Sequence, residues 1–109
     1  MVLDASVWVA ALINKVQHHA ESAELLGRLV QDRRTAFAPI LVLAEVAGAV
    51  ARQTRDSDRA ETGLRFMRAQ NWLSIHPFTE SQGETAAAIA AQYFLRGADA
   101  VYVALARQL

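Results

Sequence analysis

The sequence predicts an α/β layered fold with a parallel sheet, and three observations lead there. Apolar runs of three or four residues recur three times, each followed by helical segments, so strands and helices alternate along the chain. The helical segments repeat apolar residues at i, i+3 and i+4, while turn and capping residues bound the short runs. The 109 residues are 53% apolar, which suits one packed domain over 1–109 that buries roughly two-thirds of its unfolded surface.

Met1-Val2-Leu3 is the first candidate strand, ending at Asp4. Ser6 can cap a helix through Val7 to Ile13, apolar throughout and so expected inside. In AESAELLGRLVQDRR, Ala20, Ala23, Leu26, Leu29 and Val30 recur on one helical face, with Arg and Asp opposite. Thr35-Ala36-Phe37-Ala38 predicts a second strand, and Pro39 suits the start of a helix from about Ile40 to Thr54. Asp56 or Ser57 can cap the next helix, which reaches about Ala69. Leu73-Ser74-Ile75-His76 predicts a third strand. Thr79 to Gln82 has capping-box spacing and opens an Ala-rich helix to about Leu95. Gly97 is expected to end it, and Asp99 to begin a last helix running to the end of the sequence.

Composition narrows the chemistry. Eleven basic residues balance eleven acidic ones, so net charge neither favours nor excludes a polyanionic partner. All the bases but Lys15 are Arg, which suits bidentate phosphate contact and equally a GC-rich genome. No cysteine is present, which excludes disulfides, thiolate metal sites and cysteine nucleophiles and makes a reducing cytoplasm the expected location. The amino terminus lacks the early positive charge of a secretory signal, and no apolar run has the length of a membrane span. A soluble protein with no membrane partner is expected.

Three carboxylates stand out. Asp4, Glu45 and Asp99 are each the only charged residue of an apolar stretch: VLDASVWVAALIN, TAFAPILVLAEVAGAVA and GADAVYVALA. Burying an ionised carboxylate is unfavourable by several kcal/mol unless a cation or hydrogen-bond donors compensate it. No Lys or Arg lies within these stretches, so a divalent metal is the expected counter-ion. In a parallel sheet the ligand site lies beyond the strands' carboxyl ends. Asp4 would end the first strand there, Glu45 would sit in the second turn of the helix after the second strand, and Asp99 would open the last helix. Mg²⁺ prefers such hard oxygen donors, and it can polarise a phosphodiester and acidify an attacking water. Metal-assisted phosphodiester hydrolysis is the chemistry these residues suggest. Structural alternatives stand beside it: Asp4 and Asp99 are also ordinary helix caps, and in a purely structural protein Asp4→Ala and Glu45→Ala would leave divalent-metal affinity unchanged.

His18, His19 and His76 are too widely spaced for a metal triad. Arg52, Arg55 and Arg59 suit phosphates or a protein partner, or equally a solvated face paired with Asp56, Asp58 and Glu61. Trp8 and Trp72 could stack on bases, although Trp8 lies in a wholly apolar helix that belongs in a core. Glu80 and Glu84 suit the dipole at the start of their helix and have no expected catalytic part.

VLDASVWVAALI, APILVLAEVAGAV and GADAVYVALARQL resemble the three motif regions of PIN domains, particularly VapC-type toxins of toxin–antitoxin pairs. The family's Asp-x-Ser/Thr/Asn is matched by Asp4-Ala5-Ser6, its lone helical Glu by Glu45, and its D-A-x-x-x-A-x-A by Asp99-Ala100 with Ala104 and Ala106. The resemblance implies a PIN-like three-layer α/β/α sandwich with a short central parallel sheet, its last strand missing, and an endoribonuclease dependent on Mg²⁺ or Mn²⁺. Asp4, Glu45 and Asp99 would be catalytic metal ligands, and Ser6 would position a ligand or water. It further implies an RNA substrate, a small antitoxin partner and possible homodimerisation. The family pattern continues beyond the position of Leu109 with another strand and a Thr/Ser-x-Asp motif carrying a fourth acid. The expectation is therefore a domain incomplete at its C-terminus. The alternative to an active enzyme is a catalytically impaired PIN domain that binds an antitoxin or RNA.

Overall fold

A computed structural model describes residues 1–13 and 18–109. Asn14, which closes the first apolar stretch, and Lys15, the one lysine, lie outside the described residues. The elements run α1 (Ala5–Leu12), α2 (His19–Gln31), β1 (Ala36–Pro39), α3 (Leu41–Thr54), α4 (Ser57–Arg68), β2 (Leu73–His76), α5 (Glu80–Tyr93) and α6 (Gly97–Gln108). The architecture is predominantly helical α/β with a short two-stranded parallel sheet.

Strands β1 and β2 pair in parallel, with Ala36 opposite Leu73 and Pro39 opposite His76. The first expected strand is reduced to one isolated parallel bridge between Val2 and Phe37. Phe37 N–H donates to the Met1 carbonyl at 2.8 Å and Leu3 N–H to the Phe37 carbonyl at 3.0 Å. Pairing stops there because Asp4 already caps α1. Pro39 proves to be the last residue of β1 rather than the start of a helix. The Ile40 N–H continues the ladder to the His76 carbonyl at 2.8 Å, so helical bonding begins only after it.

Trp8, Leu29, Val42, Val46 and Met67 are the largest fully buried side chains, and they join α1 to α4 in one core with Ala36 and Ala38 of β1. A smaller cluster of Ala86, Ile89, Ala100 and Ala104 packs α5 against α6. On α2 only Leu26 and Leu29 are buried, and Ala20, Ala23 and Val30 face solvent. The apolar stripe is thus narrower than its spacing suggested. Thr79 and Gln82 form the expected capping box. Helix α5 stops at Phe94 rather than Gly97: Phe94 adopts a left-handed conformation at φ 57° and donates its N–H to the Ala90 carbonyl. Gly97 instead opens α6, which places Asp99 in its first turn.

Candidate functional site

Asp4 is the N-cap of α1. Its Oδ1 accepts from the Ser6 backbone N–H at 3.0 Å and from the Ser6 hydroxyl. Asp, not Ser6, is therefore the capping residue, and Ser6 is its partner; the capping oxygen satisfies one of the amides that a helix start leaves free.

Glu45 lies half-buried on α3. The Tyr102 hydroxyl of α6 donates to its Oε1 at 2.7 Å. Tyr102 is buried in the main core, and its ionisation is pushed far above the ordinary phenol range. Burial is the largest cause, followed by the hydrogen bond to Glu45, the Glu45 charge and the Asp4 charge, with the Ala5 backbone amide working the other way. The phenol thus joins the middle of α3 to the inner face of α6, within electrostatic reach of Asp4 at the start of α1. Tyr102 was missed in the sequence because it reads as one more apolar residue of VYVALA. Its spacing, one turn after Asp99, was the available signal.

Asp99 stands on α6 one turn before Tyr102, exposed, with its Oδ2 accepting from Arg96 Nε at 3.0 Å. The expectation of buried carboxylates is corrected here: Asp4 and Asp99 are exposed, Glu45 is half-buried, and among the described residues no charged side chain is fully buried. The apolar neighbours of Asp4 and Asp99 occupy other faces of helices whose first turns meet solvent. Desolvation therefore does not by itself demand a metal at this site.

The donor chemistry suits Mg²⁺ or Mn²⁺, because all three groups are hard carboxylate oxygens. The hydrogen bonds described for each carboxylate engage only one of its two oxygens. The grouping is looser than expected: Glu45 bonds Tyr102 and the Asp4 charge acts on the same phenol, but among the described residues no three acids or histidines gather closely enough to hold one ion.

A cleft of about 750 Å³ opens beside Glu45, bordered by Ser6, His18, Ser22, Arg52 and Gln53. His18 pairs with Glu21 at 3.1 Å, and His19 bonds the Ala10 carbonyl at 2.7 Å. His76 lies on β2, 3.3 Å from the Ser74 hydroxyl, so the three histidines form no centre. Trp8 and Trp72 stack on each other, centroids 5.6 Å apart and planes 8° from parallel, which leaves Trp8 no face for a base.

The PIN domain family profile matches residues 1–109, and the chain belongs to that family. Among solved structures, a toxin of Mycobacterium tuberculosis, VapC20, described as cleaving the sarcin-ricin loop, superposes with a TM-score of 0.79. It is 20% identical in sequence, and the match covers 98% of this chain and 81% of that one, so it shows a shared fold. No curated protein sequence matches the chain. Among the described residues no helix is long and apolar enough to cross a membrane.

Proposed function

We propose that this chain is a metal-dependent endoribonuclease of the VapC toxin kind, working as one domain over residues 1–109. The observation that carries the reading is the Tyr102–Glu45 hydrogen bond at the edge of an open cleft, with the Asp4 charge also acting on Tyr102, in a member of the PIN family. The fold shared with an RNA-cleaving toxin supports RNA as the substrate. Asp4, Glu45 and Asp99 would hold Mg²⁺ or Mn²⁺. When bound, that ion supplies a Lewis acid for the phosphodiester and lowers the pKa of the attacking water.

The chain's own residues do the positioning. Ser6 fixes Asp4 through Oδ1. Tyr102 fixes Glu45 through Oε1, and its raised pKa keeps it a donor at every physiological pH. A small antitoxin protein, a second copy of the chain and a cytoplasmic setting complete the proposal.

Purified protein with Mn²⁺ is expected to cleave RNA, and Asp4→Asn to abolish cleavage; activity that survives this substitution rules the mechanism out. A second reading, a non-catalytic module that binds an antitoxin or RNA, is favoured by the Arg96–Asp99 pair and the loose grouping of acids. It predicts no cleavage at any metal concentration, together with co-purification of a small antitoxin.

A further inference from the structure

We propose that Arg52 is the phosphate contact of an RNA-backbone subsite in the cleft, about two helical turns from the hydrolytic centre. The inference rests on the ribonuclease reading and extends it to a residue outside the acid set.

Arg52 follows Glu45 by seven residues on α3, so both lie on one helix face roughly 10 Å apart along the axis. That separation suits a phosphate flanking the scissile one. Both residues line the same cleft, together with Ala49 between them on α3 and the hydroxyl-bearing Ser6 and Ser22. Among the described residues lining the cleft, Arg52 is the only Arg or Lys. Arg28 and Arg96 hold carboxylates, whereas no carboxylate or carbonyl among the described residues engages Arg52. Its planar array of donors is free for bidentate phosphate contact.

Gly48 supplies a separate observation. A Cβ built there would lie 3.0 Å from Arg52 Nη1, so the guanidinium rests over the helix backbone at this glycine. Glycine in a helix interior is less favourable than alanine, yet here it leaves the arginine its place. Among the described residues lining the cleft there is no Trp, Tyr or Phe, and the His18 ring is engaged with Glu21. Contact with the sugar–phosphate backbone of an unpaired strand, tolerant of sequence, is what this chemistry recognises.

Fluorescence anisotropy of a labelled short oligouridylate, titrated without divalent metal across a range of salt, tests the proposal. Arg52→Gln is expected to weaken binding several-fold and to lower the slope of log K against log salt by about 0.7, the single-strand value for one phosphate. Arg68→Gln, an exposed arginine on α4 outside the cleft, is expected to match wild type. Gly48→Ala is expected to keep or raise the melting temperature while weakening binding, an outcome that structural damage does not produce. Equal losses for Arg52→Gln and Arg68→Gln, no loss for Arg52→Gln, or no binding by wild type would each overturn it.

The two readings fail separately. Absent cleavage with Arg52-dependent binding ends the nuclease and leaves the subsite. Cleavage with an unchanged KM in Arg52→Gln ends the subsite and leaves the nuclease.

Discussion

The Tyr102 hydroxyl donates to Glu45 Oε1 at 2.7 Å across 57 positions of sequence, joining α6 to α3 at the edge of the cleft. The bond is charge-assisted and only partly solvated, so its loss is unfavourable by about 1.5–3 kcal/mol at most. Tyr102→Phe removes the oxygen alone and keeps the ring in the core. The expected result in urea unfolding is a loss of about 1 kcal/mol, because water can partly replace the donor at half-exposed Glu45.

The same contact sets an alkaline limit on stability. Tyr102 has its folded pKa raised, chiefly by burial and then by Glu45. Above the ordinary phenol pKa of about 10, the unfolded chain loses this proton while the folded chain keeps it. Fewer protons are then bound in the unfolded state, so stability falls as pH rises. The contribution is complete below about pH 10 and is lost progressively above it. Unfolding free energies measured on both sides of that value are expected to decline for wild type and to decline less for Tyr102→Phe. Equal declines would show that Tyr102 ionises freely in the fold.

How much was legible follows from what each residue shows locally. The β2 strand at Leu73–His76 and the Thr79–Gln82 capping box were read directly, because each signal sits within a few consecutive residues. The first strand was over-read: three apolar residues support a bridge to Phe37 but no more, once Asp4 turns the chain into α1. The helix end at Phe94 was hidden because nothing in an aromatic side chain announces a left-handed cap; Gly97 drew the expectation instead. Within the candidate site, the acids were visible as isolated charges. Their exposure was not, because apolar neighbours in sequence lie on other faces of a helix. Tyr102 could not be found from composition, since its role exists only where three elements meet.

The stack of Trp8 on Trp72 lies in the main core. Trp8 is fully buried, yet its indole N–H has no hydrogen-bond partner, a standing penalty within that core. Trp8→Ala is expected to lose about 3–5 kcal/mol, a large share of the stability of a small domain. Trp8→Phe retains an aromatic face for Trp72 and removes the orphan donor, so a loss of about 1 kcal/mol is expected. A thermal melt of the two variants separates these outcomes. Comparable destabilisation by Phe and Ala would mean that indole volume, rather than stacking, holds the core together.

Arg96 occupies a position that suits neither helix nor metal. It is the N-cap of α6 without a side-chain capping bond, and it brings a cation to the positive end of the helix dipole. Its pairing with Asp99 is exposed on both sides, so the ion pair itself contributes about 0–1 kcal/mol. Arg96→Ser supplies a capping hydroxyl and removes the unfavourable charge. It is expected to stabilise the protein by about 0.5–1 kcal/mol in urea unfolding. The same change releases Asp99 from a competing cation, and calorimetric titration with Mn²⁺ is expected to show tighter binding than in wild type. Added stability with unchanged Mn²⁺ affinity would assign Asp99 to the helix start alone and leave Asp4 and Glu45 as the acids available to an ion.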